Sequence, residues 1–327
     1  LYAFSTLIRN LLEIFQTAET VAEKPCLLLD DADIFQHDHA MTEKLRKQDY
    51  FADPALPLQV HIRDPQPEFP LHAHGFDELV IVLRGTAMHM VDGQPFPVKS
   101  GDVFVVSGKH EHQYLDMHGL ALANILFDSR ALQMSQWDIR ALPGFHALFA
   151  LEPLLRAQQK FNNRLHLSER QLNRANELLH DLSREIEIRN PGYRMMARGL
   201  FMQLAVFLSR CWSEKPEAES IDLLRLGDAI ACIETRFAEK ITLEDLARKA
   251  HLSSRHFQRI FHECLGRSPI DHLLRVRIQK AAELLRHSDL SVTEIAFDCG
   301  FSDSNYFARQ FRRIMDCTPR QYRQKRS

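Results

Sequence analysis

Over residues 242–327 one arrangement of hydroxyl, acidic, apolar and basic positions is written twice. Each copy opens on a hydroxyl residue with an acid three places later, Thr242 with Asp245 and Ser291 with Glu294, a pattern that closes the amino end of a helix on itself. Apolar residues then recur at helical spacing, Leu243, Leu246 and Ala247 in one copy and Val292, Ile295 and Ala296 in the other. Ala250-His251-Leu252 and Cys299-Gly300-Phe301 read as turns, where glycine suits a positive φ that His251 tolerates less easily. New helices are predicted from Ser253 and from Ser302, burying Phe257, Ile260 and Phe261 or Phe307 and Phe311. Their outer faces carry Ser254, Arg255, His256, Gln258 and Arg259, and Ser304, Asn305, Arg309, Gln310 and Arg313. This is the pattern of two helix-turn-helix units, at 242–265 and 291–315. Arginine pairs with guanine edges and Asn or Gln with adenine edges, so these ten residues are the candidate contacts to double-stranded DNA.

Between the copies, Ser268-Pro269-Ile270-Asp271 starts a helix with a cap, a proline in its first turn and an acid near the positive end of its dipole. Leu274, Ile278, Ala281 and Leu285 form one stripe along it. A rod of roughly 27 Å follows from the rise per residue, close to the spacing of successive major-groove faces. Charge supports this only locally: from Arg248 onward there are 16 Lys and Arg against 8 Asp and Glu, while the whole chain stands at −2.

The residues Ser253, Arg255, Phe257, Arg259 and Phe261, Gly266, Ser268-Pro269, Arg277, Ala281, Leu284-Leu285, Ile295-Ala296, Gly300-Phe301, Asp303, Tyr306-Phe307, Phe311 and Thr318-Pro319 together resemble the AraC/XylS transcription regulators. Cys317 departs from the glycine usual before Thr-Pro in that family. The resemblance implies a DNA-binding activator that works as a homodimer and meets the RNA polymerase sigma subunit through Glu294 and Asp303. Helix capping is the alternative role of those two acids.

From Leu58 to Phe127 the pattern changes to short β-rich runs, Leu58–Ile62, Glu78–Leu83, Ala87–Val91, Gln94–Val98, Asp102–Val106 and Leu120–Phe127. Turns are predicted at Arg84-Gly85, Asp92-Gly93 and Ser100-Gly101. His72, His74, Glu78 and Gly85, followed by Gly101-Asp102, His110 and His112, resemble the two cupin motifs. In metal-binding cupins the matching positions, His72, His74, Glu78 and His112, hold a divalent ion. Attached to a DNA-binding segment, the same four are assigned to a polar effector, with no metal and no cofactor, and Phe76, Phe104 and Tyr114 offer faces for stacking on a sugar. The stretch Phe69–Val82, with His89, Asp92–Phe96, Gly101–Phe104, Lys109-His110 and Leu142–Phe145, resembles the L-rhamnose-operon activators, which implies L-rhamnose as the effector. An enzyme built on a metal-binding cupin, and a regulator answering another small molecule, are the rival readings.

Leu165, Leu172, Leu179 and Ile186, with Ala175 and Leu182 between them, make a heptad-like seam read as a dimer contact, the alternative being packing on the chain's own barrel. A second helix over Tyr193–Trp212 is apolar on most sides. The resulting fold class is α+β: a helical extension over 1–50, a cupin-like effector barrel over 51–145, a helical dimerisation segment over 146–213, a polar linker over 214–220 and an all-α double helix-turn-helix domain over 221–327. Cysteines at 26, 211, 232, 264, 299 and 317 lack disulfide or zinc spacing and suit a reducing cytoplasm. Neither a membrane-length apolar run nor a cleavable signal around Arg9 is found, and no catalytic triad or phosphate loop stands out.

Overall fold

Strand alternation sorts the amino-terminal half into an inside and an outside. The computed structural model describes residues 43–108, 110–134, 138–151, 153, 164–214 and 221–324. Its strands are β1 (Glu43–Leu45), β2 (Leu58–Arg63), β3 (His72–His74), β4 (Asp77–Val91), β5 (Gln94–Lys99), β6 (Asp102–Val106), β7 (His112–Phe127) and β8 (Leu165–His166), with one helical turn, α1 (Lys47–Tyr50), after the first. They form one sheet ordered β1-β3-β7-β4-β6-β8, with β2 also on β7 and β5 also on β4.

The long strands β4 and β7 pair from Asp77 opposite Phe127 to Val91 opposite His112, with register shifts between Val82 and Met88. Gly85 sits at this corner with φ +78°, and a side chain there would run into the backbone of His118 and Gly119. The turn expected at Arg84-Gly85 is therefore a bend within one continuous strand. It folds the sheet over, so that Val80, Val82 and Phe104 meet Ala87 and Val98 in an inner apolar core. β7 begins at His112 rather than Leu120 because its first half, Gln113 to Gly119, has few buried residues and no apolar alternation to reveal it. Of the helical extension, residues 1–42 lie outside the described residues, and Glu43–Leu45 is a strand paired with β3.

The opposite face of the sheet, Leu79, Ile81, Val103, Val105, Ala123, Ile125 and Phe127, packs on helices. These are α2 (Pro143–His146), prolonged by a π turn to Leu151, then α3 (Glu169–Ile188) and α4 (Tyr193–Glu214). Ser168 caps α3 reciprocally with Gln171. The heptad-like residues are used up here. Ala175, Leu179, Leu182 and Ile186 are buried against the chain's own sheet and α4, and Leu165 is not helical but pairs with Val103 in β8. The seam is thus an internal packing surface. Residues 215–220 of the expected linker lie outside the described residues.

The carboxy-terminal part comprises α5 (Ile221–Arg236), α6 (Leu243–Lys249), α7 (Ser254–Leu265), α8 (Pro269–His287), α9 (Val292–Asp298), α10 (Ser304–Met315) and α11 (Pro319–Gln324). Capping boxes close α6 on Thr242 and Asp245 and α9 on Ser291 and Glu294. The bridging helix α8 belongs to two cores: Leu273 and Val276 join Phe257 and Phe261, while Ile278, Ala281 and Leu285 join Phe307 and Phe311. Both turn residues are left-handed, His251 at φ 54° and Gly300 at φ 80°. The second turn carries one more residue than the first, so Asp303 and not Ser302 is the cap of α10.

The two halves of the chain meet through α2 and α5. A Cβ at Gly227 would lie 2.5 Å from the carbonyl oxygen of Pro143, so only glycine lets the helices approach this closely. Arg140 forms an ion pair with the buried Glu234, and His146 Nε2 donates to the Arg140 carbonyl at 2.7 Å. Burial pushes His146 and His272 down to about 4, so both imidazoles are neutral at this contact near pH 7.

Gly300→Ala places a Cβ 2.6 Å from the Ala238 carbonyl oxygen in a left-handed conformation. It is expected to lower stability by about 1–3 kcal/mol in urea denaturation, whereas His251→Gly leaves stability unchanged or raises it; equal losses in both would contradict this account of the turns.

Candidate effector cluster and nucleic-acid interface

The inner face of the sheet gathers the predicted polar residues. β3 and β7 are in register with His72 opposite His112, and β4 follows β3 closely enough to bring Glu78 beneath them. His74 Nε2 lies 3.1 Å from His112 Nε2 and 3.3 Å from Glu78 Oε2, which is 3.6 Å from His112 Nε2. All three are buried, while His72 is half-buried, with its ring centre 4.3 Å from that of His112 and Nδ1 donating to the Pro70 carbonyl at 2.9 Å. Burial would raise the Glu78 carboxyl, but His74 against it and the charge of His112 and His72 outweigh that and hold it at about 2. Burial would likewise lower His74, and the Glu78 carboxylate reverses the direction and raises it. The pair is therefore a carboxylate facing an imidazole that favours its charged form.

The structure adds residues whose role the spacing did not reveal. His89 Nε2 lies 3.3 Å from His112 Nδ1, and its ring stacks on Tyr114 at 4.6 Å and leans on Phe104 at 5.0 Å. Arg164, half-buried, reaches Asp102 at 3.2 Å and lies over the Phe104 ring. Asn124 is in register with both Val80 and His61, and its Oδ1 and the His61 Nε2 are buried without a hydrogen-bond partner. Strand parity was the available signal, because Asn124 falls on the inward set of an otherwise apolar run. Of the proposed stacking faces, Phe76 and Phe104 are core, the former lying flat on His74 at 4.5 Å.

In the helical part, Arg255, Gln258 and Arg259 on α7 and Asn305, Arg309 and Arg313 on α10 are exposed. Ser254, His256, Ser304 and Gln310 are half-buried on the same helices. Two of the arginines are engaged: Arg259 pairs with Glu263 at 2.8 Å and Arg313 with Asp271 at 3.4 Å, where Asp271 also holds Arg275 at 2.8 Å. Surface pairs of this kind are worth at most about 1 kcal/mol, so phosphate or base edges compete with them easily. Glu294 and Asp303 both cap helices, accepting from the backbone N–H of Ser291 at 2.7 Å and of Tyr306. Among the described residues no helix is long and apolar enough to cross a membrane, and Cys211, Cys232, Cys264, Cys299 and Cys317 are free thiols.

Residues 59–205 match the model of the AraC-like ligand binding domain and residues 246–325 that of a helix-turn-helix domain. The first of these takes in the sheet from β2 to β8, all of α3 and the first part of α4. The chain is 34% identical over 284 residues to the HTH-type transcriptional activator RhaS of Citrobacter koseri, covering 86% of this chain and 97% of the relative. It is 35% identical over 287 residues to RhaS of Klebsiella pneumoniae, with the same coverage. Among solved structures, an AraC-type regulator from Chromobacterium violaceum matches 32% of this chain and 92% of its own at 30% identity, with a TM-score of 0.31. The DNA-binding domain of AdpA in complex with a target DNA matches 31% of this chain and 91% of its own at 34% identity, with a TM-score of 0.30. The two RhaS relatives are HTH-type transcriptional activators. With a ligand-binding sheet and a double helix-turn-helix in one polypeptide, and near-complete coverage of the RhaS proteins, the chain belongs to the AraC-type family of transcription activators.

Proposed function

We propose that this activator switches on sugar-catabolism genes in the cytoplasm when a sugar, L-rhamnose by likeness to RhaS, binds at His72, His74, Glu78 and His112. The observation that carries the reading is a continuous apolar core running from the outer face of the sheet through α3, α4 and α5 to Phe257 and Phe261 beneath the first outward helix. A ligand that shifts the inner face acts on the packing of the outer face, and hence on how often the reading helices are held for DNA. Calorimetry of the full chain with L-rhamnose, L-arabinose and L-fucose tests this. One sugar is expected to bind, and His72→Ala, at the rim of the cluster, weakens it by about 1–3 kcal/mol while operator binding persists. Binding of none of them removes the effector reading.

The exposed residues of α7 and α10 are assigned to base edges, and Glu294 and Asp303 to the polymerase sigma subunit. Arg309→Ala is expected to weaken operator binding by about 1–3 kcal/mol and relax base choice at one position. Glu294→Gln and Asp303→Asn keep both helix caps but remove the charge; transcription falls while operator affinity stays. Loss of affinity in these variants, or an equal loss over all sequences for Arg309→Ala, contradicts the assignment.

A homodimer is part of the same reading. With the heptad-like residues consumed internally, the most exposed large apolar side chains among the described residues, Ile188 at the end of α3 and Met195 and Met196 at the start of α4, exposed by 59%, 76% and 56%, are assigned to a partner copy. Sedimentation is expected to give twice the chain mass, reduced to one by Met195→Glu; a monomer at all concentrations argues against it.

A further inference from the structure

The geometry points to Glu263 as a positioning residue that sets the base selectivity of the first outward helix by holding Arg259 in one pose. This role presupposes the assignment of α7 to DNA, and Glu263 itself touches no base. Arg259 Nη1 donates to both carboxylate oxygens of Glu263, at 2.8 and 3.0 Å, and Nη2 donates to His256 Nδ1 at 3.2 Å. His256, Arg259 and Glu263 follow one another at about one helical turn along α7, so the guanidinium is gripped from both sides on a rigid element. Nε and the second hydrogen of Nη2 are left as a fork that fits O6 and N7 of a guanine.

Helix stability does not account for Glu263. It stands in the last turn of α7, where the helix dipole disfavours an acid. An acid four places after its basic partner is also the weaker order of such a pair. With Phe257 and Phe261 set on Phe307 and Phe311, Arg259 matches Arg309, but the places of His256 and Glu263 hold Tyr306 and Arg313. Arg309 therefore has no acid in the matching place, and the last turn of α10 carries Arg312 and Arg313, which the dipole favours. The Arg259–Glu263 pair is exposed and weak by itself. Its effect arises when a duplex lies against α7. Where the facing base accepts the fork, Arg259 stays between Glu263 and the DNA, and it has already given up rotamer freedom that binding would otherwise cost. Where the base does not, Arg259 turns to a phosphate and leaves an uncompensated carboxylate against the polyanion. Glu263 thus penalises sequence-independent binding through like-charge repulsion, which widens the gap between right and wrong sites.

Full-length chain is mixed with a random-sequence duplex pool, and the bound DNA is recovered and sequenced for the parent and for Arg259→Ala, Glu263→Gln and Glu244→Gln. The last removes an exposed acid of α6 elsewhere in the same domain. Affinity for the duplex selected by the parent and for a mixed-sequence duplex is then measured over a series of salt concentrations. Arg259→Ala is expected to relax one base pair of the selected site, and Glu263→Gln to relax the same one. Glu263→Gln also binds the mixed-sequence duplex at least about threefold more tightly, with a salt slope steeper by about one. Its ratio of selected to mixed affinity falls at least about fivefold. Glu244→Gln leaves base preference as in the parent. A base preference lost in Arg259→Ala but kept in Glu263→Gln overturns the inference and leaves α7 assigned to DNA. Relaxation in Glu244→Gln equal to that in Glu263→Gln, or a mixed-sequence affinity that does not rise in Glu263→Gln, does the same. Unchanged preference in Arg259→Ala, or a parent that selects no sequence, removes the base contact of Arg259 and the role of Glu263 with it.

Discussion

Alternation along β4 and β7 sends Leu79, Ile81, Ala123, Ile125 and Phe127 outward and keeps Glu78, Val80 and Asn124 inward, and the amino-terminal half is organised by that division. A shift of one residue in register would exchange the two sets, exposing the helices to Glu78 and filling the interior with leucine and isoleucine. Apolar burial at roughly 25 cal/mol per Å² makes such an exchange prohibitive. The same division explains how a charged cluster survives inside the sheet: His74, Glu78 and His112 face one another there, and the apolar core is built on the far side.

The outer set also reaches the helical half. Its core extends through α5 to the first helix-turn-helix unit, whereas the second unit has a separate core, which meets the first along α8 and at Phe237. At the junction, Gly227 against Pro143 and the Arg140–Glu234 pair fix the approach of α2 to α5. The neutral His146 and His272 lie in that same contact, with both ring nitrogens of His272 buried and without hydrogen-bond partners. A buried ion pair costs desolvation, and its benefit is a single defined approach of the helices.

Much of the carboxy-terminal architecture was legible because short-range chemistry dictates it. Thr242 with Asp245 and Ser291 with Glu294 name their helix starts, and His251 and Gly300 name left-handed turns. The start expected at Ser302 fell one position early because Ser302 and Asp303 are both competent caps and only the tertiary fit of the turn chooses between them. The amino-terminal half was less transparent. Arg84-Gly85 has the composition of a turn, and whether glycine reverses a strand or bends it depends on Gly119 across the sheet, which local pattern does not contain. A heptad-like spacing says that α3 has an apolar face but not which surface covers it, and here the chain's own sheet does. His72, His74, Glu78 and His112 converge as their spacing suggested, while His61, His89 and Asn124 join them only through long-range pairing.

The two outward helices are copies in fold but not in face. Phe257 and Phe261 superpose in sequence on Phe307 and Phe311, which sets Arg255 against Asn305, Gln258 against Ala308 and Glu263 against Arg313. A duplicated scaffold has therefore diverged in what it holds outward, so that the surface offered by one helix is not interchangeable with that offered by the other.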